Sequence, residues 1–449
     1  MNALRLALPL VALAGAAQLA FIGSGEAYTF LGGSLDLTQR DFRVHDNFTD
    51  PEANDNQTPD PNFPGATGAT LAIWKGVAEW GSALHGAGGG DPTQADGIGS
   101  GGANFDSSYQ GAAPDPGGTN DNVFSQISGF GGGLLAFTEL RISDGWRIRF
   151  YEDPSIWHDG PGIIPNGPTD KDIQGVAAHE YGHALGLDHT LDPGATMQGS
   201  GSGNQIENRS IEADDIAGIQ ALYGVASAGK PRVTGYTLAG GQVVVSGANF
   251  AASGNEVWFT RGSGVGDGTP VKAVNLMSTA GGTELVATIP AEAGAGDLLV
   301  KVPGVSHDAL SNAWPFDPVL GFCPPAEVLG TGKPRPNGSV PTLTPDGTPS
   351  VFYGGFSLSL VNARPNAPAI LFHGQTAAAI PFMGGTLYSS GPYVRDTFFN
   401  VDFLGFASFP MTVDPTLVGT RRVYQVWFQD PGASFGVGLS NGVAVEYCL

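Results

Sequence analysis

Three stretches of the chain repeat apolar residues at helical spacing, and a longer series alternates them at the spacing of strands. In "GATLAIWKGVAEWGSALH", Leu71, Trp74, Val77, Ala78 and the run from Trp80 to Leu84 predict a helix that buries one face. A second helix is expected to start at Asp170 or Asp172, where an acid suits the exposed amides of a helix start. A third, "SIEADDIAGIQALYG", takes Ser210 as its cap and Ile216, Ile219, Leu222 and Tyr223 as its buried stripe. "LDLTQRDFRVHDNF", "GGLLAFTEL" and "GWRIRFYED" read as strands, the last with Trp146, Ile148 and Phe150 on one face. Between the first helix and these strands, residues 86–118 are dominated by glycine, aspartate and proline and read as a long loop.

After Gly224 the helical spacing stops. "KPRVTGYTLAGGQVVVSGANFAASGNEVWFTRG", "TELVATIPAEAGAGDLLVKVPG" and "SNAWPF" are short β runs separated by glycine turns, as in a small sandwich. The segment "KPRVTGYTLAGGQVVVSGANF" resembles an immunoglobulin-like IPT/TIG domain, present as a single unit. Residues 318–449 form another β-rich unit, ending in "RRVYQVWFQDP" and "NGVAVEYC". The pattern divides the chain into residues 28–228, 229–317 and 318–449. It predicts a multi-domain protein: an α+β front with three main helices and a twisted mixed sheet, then two β-sandwich-like domains.

Length agrees with that division, since 449 residues are enough for about three domains of typical size. The net charge of −22 is unevenly placed: residues 1–228 hold 28 acids against 9 Lys and Arg, the remainder 14 against 11. An acidic front half argues against nucleic acid or an anionic membrane as partner, because both select a basic footprint. The opening "MNALRLALPLVALAGAAQLAFIGSGEA" has one early cation, an apolar run and small residues ending at Ala27; residues 1–27 therefore read as a secretory signal peptide. A secreted protein without a stable membrane span is the expectation. The two cysteines, Cys323 and Cys448, nearly bracket the last unit and suit a disulfide in an oxidising compartment. A bridge closing a loop of that length stabilises by about 4 to 5 kcal/mol on the chain-entropy account.

The chemistry concentrates in "HEYGHALGLDH", which uses three of the chain's eight histidines within eleven positions. Positions four apart share a helix face, so His179 and His183 can offer their imidazoles to one metal from successive turns. Gly186 can take the left-handed conformation that ends a helix and turns the chain back, bringing His189 in as a third nitrogen. Three protein ligands and an open position describe a catalytic zinc site. Glu180, directly after a ligand, then stands where it can take a proton from the attacking water and return it to the leaving amine.

This motif, with "GATM" placing Met197 eight residues after His189, resembles the metzincin metalloendopeptidases and, among them, the matrixins. "HALGLDHT" and "DDIAGIQALYG" are similar to matrixin sequence as well. The resemblance is dense from about Ile173 to Gly224 and loose from Tyr28 to Asp172. It implies one catalytic zinc, a methionine floor at Met197, and a twisted, mostly parallel sheet. Its edge strand, near "GGLLAFTEL", would pair with an extended peptide. Asp214 and Asp215 open the last helix, where charge near a helix start and a hydrogen bond to the zinc loop suffice to explain them. The resemblance implies that they anchor the active-site region or the mature amino terminus, in structural support rather than catalysis.

The sequence departs from the family in three ways. No cysteine precedes Cys323, so latency by a propeptide cysteine is not expected. His45, His85 and His158 are scattered, which does not suit the family's second, structural zinc. Gly199, two residues after Met197, separates the chain from branches with a tyrosine there. Calcium is an expectation of the acid- and glycine-rich loops such as "GGGDPTQADGIGSG", but none has EF-hand spacing and no ligands are assigned.

The function expected is that of a secreted zinc metalloendopeptidase cutting internal peptide bonds of extracellular proteins. Its C-terminal β domains would serve for positioning, cell-surface or glycan contact. The competing readings are a surface adhesin or carbohydrate-binding protein with a degenerate protease domain, and a peptidase acting on cell-wall peptides. The intact Glu180 and complete ligand set argue against degeneracy.

Overall fold

Trp146, Ile148 and Phe150 are all fully buried, as their alternation requires, in the strand Gly145–Asp153. The structure is a computed structural model. It describes residues 27–448 apart from 38–39, 89, 92, 95–96, 119–120, 142–144, 202, 240, 263–266, 320–322 and 352–354. The expected signal peptide lies, except for Ala27, outside the described residues.

The front part contains β1 (Asp41–His45), α1 (Gly68–Ala78), β2 (Ser108–Ala112), β3 (Val123–Phe130), β4 (Ala136–Arg141), β5 (Gly145–Asp153), α2 (Ile173–Leu185) and α3 (Ala213–Tyr223). The five strands form one sheet in the order β2-β1-β3-β5-β4. β1 runs parallel to β2 and β3, and β3 parallel to β5, whereas β4 closes one end antiparallel to β5. Mixed topology with three main helices agrees with the expectation.

Two strands were hidden from the hydrophobic pattern. β2 lies inside the 86–118 stretch read as loop and has one large apolar residue, Tyr109. β3, "VFSQISGF", buries Ser125 and Gln126 beside its apolar residues. Gln126 earns its buried place by accepting from Thr49 N at 3.2 Å, while its main chain accepts from Asn47 Nδ2 at 3.0 Å.

α1 ends at Ala78 rather than near His85, and it is buried nearly all round rather than on one face. Trp74 stacks on Tyr109 with ring centroids 4.1 Å apart, Phe63 meets Trp74 edge-on, and Lys75 pairs with Asp60 at 3.1 Å. The loop before α1 thus covers the side that would have faced water. α2 starts as expected, with Asp172 as cap accepting from Gly175 N at 3.1 Å. α3 does not use Ser210. Its cap is Glu212, in a reciprocal capping box with Asp215. Ser210 instead closes the preceding single turn, donating its amide to Glu207 O at 3.2 Å.

Glu79, fully buried just after α1, accepts from Gly99 N, Ser100 Oγ, Gln94 Nε2 and Ile211 N at 2.5–3.3 Å. Burial outweighs those four donors and pushes its carboxyl up to about 7. Since the folded value lies above the unfolded one, the native state holds more protons between pH 4.5 and 7, and stability from this group falls as pH rises through that window. At about 1.4 kcal/mol per pH unit, the stability gap between wild type and Glu79→Gln is expected to move by about 3 kcal/mol in favour of glutamine from pH 4.5 to 8. Urea unfolding of both chains at the two pH values measures it.

Residues beyond α3 form two further β units. The first has β6 (Arg232–Ala239), β7 (Gln242–Ala248), β8 (Asn255–Arg261), β9 (Val271–Leu276), β10 (Glu284–Thr288), β11 (Ala293–Lys301) and β12 (Trp314–Phe316). Two antiparallel sheets, β6-β7-β10 with Ser278–Thr279 and β9-β8-β11-β12, share a core that includes Val243, Val245, Phe259, Leu285 and Phe316. The last unit has a larger sheet built on Pro368–Gly374, Arg421–Gln429 and Gly442–Glu446, and a three-stranded one. Cys323 and Cys448 are bonded there, their Cα atoms 5.5 Å apart. Among the described residues no helix is long and apolar enough to cross a membrane.

The first sandwich is bonded to the front part. Asp297 of β11 accepts from Tyr109 N of β2 and pairs with His85 Nε2, both at 2.8 Å. Thr260 Oγ1 of β8 donates to Tyr109 O at 2.5 Å and accepts from Asp297 N at 2.7 Å. Lys230 meets Asp106 at 3.0 Å, both buried. Leu37 adds an apolar contact with Trp258, Leu299 and Leu310. This seam covers the β2 end of the sheet and leaves the β4 end to the site.

Candidate metal centre and cleft

α2 carries His179 and His183 one turn apart, and Gly186 ends it with φ 109° and ψ 4°. That left-handed conformation is one that a Cβ opposes. The chain then returns through Leu187–Asp188, so that His189 comes back over the helix. The nitrogens that His179, His183 and His189 offer all lie within 4.8 Å of one another.

The second ring nitrogens of the two helix histidines are spoken for. His179 Nδ1 donates to Thr196 O at 2.6 Å and His183 Nδ1 to Leu187 O at 2.9 Å. Carbonyl acceptors fix the proton on Nδ1 and leave each Nε2 lone pair free. Burial lowers both histidines, His179 to about 4, which keeps them neutral. Two neutral imidazoles oriented by carbonyls, with His189 beside them, form a donor set suited to zinc.

Glu180 is nearly fully buried, and burial pushes its carboxyl above the usual range against the pull of His183 and Thr138. Thr138 Oγ1 of β4 lies 2.8 Å from Glu180 O and 2.9 Å from its Oε2. The motif offered no sign of Thr138, because the contact spans 42 residues and an isolated threonine in a strand is unremarkable.

Met197 is buried beneath α2, and Gly182 permits its approach: a Cβ there would overlap Met197 Sδ and stand 2.9 Å from Trp80 Cζ2. Trp80 in turn donates to Ala178 O at 3.0 Å, next to the first histidine. Asp215 accepts from Thr196 N and Met197 N at 2.8 and 3.0 Å, holding the methionine loop. Asp214 accepts from Ala27 N and Tyr28 N at 2.9 and 3.0 Å. Both aspartates therefore bond backbone and stand off the three imidazoles.

The spare histidines are dispersed. His45 bonds Ala113 O at 3.1 Å, His85 faces Asp297, and His158 pairs with Asp170 at 2.8 Å. In the loop for which calcium is an expectation, Asp91 is committed to Arg209 at 2.7 Å.

A cleft of about 510 Å³ runs past the three histidines. β4 from Ala136 to Leu140 lines one side, Gly175 and Val176 of α2 the back, and residues 198–201 the other side. Because β4 ends the sheet, its outer edge can take an added strand, and the described residues lining the cleft carry no Lys or Arg.

The family described as Matrixin matches residues 112–224. Human neutrophil collagenase is 54% identical over 52 residues, covering 12% of this chain and 11% of that protein. Matrilysin of Rattus norvegicus is 40% identical over 77 residues, covering 14% and 29%, and matrilysin of Felis catus 36% over 104 residues, covering 23% and 37%. The chain thus spans between 11% and 37% of the length of these curated relatives. The likeness to matrixins thus falls on residues 112–224, which hold the histidine set on one helix and turn.

Proposed function

We propose that the chain is a secreted zinc metalloendopeptidase that hydrolyses internal peptide bonds of extracellular proteins. The observation that carries this reading is the convergence of three imidazoles beside Glu180, in a cleft bordered by an open strand edge. His179, His183 and His189 would hold one zinc. Bound there, zinc supplies Lewis acidity toward a carbonyl and brings a water's pKa to about 7.

The protein's own groups do the rest. β4 pairs with an extended substrate through its backbone, which sets the scissile bond across the cleft. Glu180 accepts the proton of the attacking water and delivers it to the departing amine nitrogen. Met197, held by Asp215, keeps an apolar floor under the histidines, and Gly186 fixes the return of His189.

For the chain as a whole we propose a leader at residues 1–27, a peptidase unit at 28–228, an IPT/TIG-like unit at 229–317 and a C-terminal β unit at 318–449. The last two serve to position the enzyme on a cell surface or glycan. The test is zinc content per purified mature chain together with casein cleavage. About one zinc and cleavage abolished by a chelator are expected; a chain without zinc would overturn the reading.

A further inference from the structure

Thr138 Oγ1 is the only hydrogen-bond donor that reaches the Glu180 carboxylate among the described residues, and it also reaches the main-chain oxygen of the same residue. Its place is unusual. Thr138 lies on β4, paired with Ile148 of β5 on one side, with the outer side open at the end of the sheet. The strand that a peptide would extend is thereby bonded directly to the residue that would move the proton.

From this geometry we infer that Thr138 is a positioning residue: its hydroxyl holds the Glu180 carboxylate by Oε2, and so couples peptide docking on β4 to the orientation of the base. The inference rests on the peptidase reading. A β-branched side chain is stiff at χ1, so a threonine hydroxyl is set by the strand rather than free to wander. The bond occupies Oε2 and, among the described residues, no donor reaches Oε1 of this cleft-lining residue. A carboxylate fixed at one oxygen presents the other at a constant place, which is what proton transfer to a positioned water needs. Among the described residues no other side-chain hydrogen bond joins strand and helix here, and packing constrains distance but not the turn of a carboxyl group.

The experiment compares wild type, Thr138→Val and Thr138→Ser for kcat and KM on a casein-derived peptide, with Glu180→Gln alongside. Valine keeps the branched shape and removes the donor, whereas serine keeps the donor. The valine variant is expected to lower kcat by about 10- to 100-fold with KM within about 2-fold, and serine to restore most of the loss. Retention of wild-type kcat in the valine variant overturns the inference. So does a serine variant as impaired as valine, which would mark a purely structural role.

A second readout does not depend on turnover. In crystals of Thr138→Val the Glu180 carboxylate should leave its place beside residue 138. If it stays there, the hydroxyl is not what holds it and the inference falls. Failure of the peptidase reading looks different, with wild type and Glu180→Gln equally inactive; the crystal comparison then decides the placement of Glu180 by itself.

Discussion

Glu180→Gln is expected to bind zinc as wild type does and to lose about 10³-fold in kcat on a peptide substrate. Glutamine has nearly the same shape, and its amide oxygen can still accept from Thr138. It touches none of the three imidazole nitrogens, so the donor set should be unchanged. What it cannot do is take a proton from water and pass it to an amine, two steps that the proposal assigns to one group. Zinc per chain and initial rates measured on the same preparations separate the two effects. Activity within about tenfold of wild type would remove Glu180 from the proton path, since general acid–base catalysis contributes about 10²- to 10⁴-fold. Loss of zinc together with activity would instead make Glu180 a determinant of the metal site.

Arg209→Met should destabilise the front part by about 3 to 5 kcal/mol, the usual cost of removing one partner from a buried ionic cluster. Arg209 is fully buried and meets Asp91 at 2.7 Å and both oxygens of Asp172 at 2.8 and 3.0 Å. It also donates to Thr93 Oγ1 at 2.7 Å and Gly162 O at 3.2 Å. Methionine fills comparable space but strands two carboxylates out of water. One of them, Asp172, caps the helix that carries His179 and His183, so the metal centre should loosen with the fold. The Asp172 carboxyl, already pushed up by burial and held down by Arg209, can escape by taking up a proton, and the deficit should therefore shrink as pH falls. Urea unfolding at pH 5 and 8 measures both parts. Adding Asp91→Asn to Arg209→Met should recover some of the loss, and a double variant no better than the single would show that Asp91 is not stranded.

The histidine cluster was legible in the sequence because its parts are local. His179, Glu180, His183, Gly186 and His189 lie in one helix and one turn, and helical geometry alone brings them together. The cap at Asp172 and the buried stripe at Ile219 and Tyr223 were readable for the same reason. What escaped depends on distant partners. β2 has little hydrophobic pattern of its own and takes its place from β1 and the sandwich, and β3 is masked by buried polar residues whose partners lie near Asn47. Thr138 gains meaning only when β4 is laid against α2. Ser210 looked like a helix cap by residue type, yet the acid pair Glu212 and Asp215 competes better at that end.

The seam between β2 and the first sandwich bears on what a nick in the chain would do. Were the chain cut between Gly224 and Gly229, Lys230, Thr260 and Asp297 would all lie beyond the cut, and all bond the front part. Cleavage there would turn an intramolecular contact into a bimolecular one, governed by a dissociation constant and by concentration. At ordinary working concentrations the two pieces would migrate as a single species under native conditions and as two in denaturant. A band pattern of that kind would record a cut chain that is still assembled.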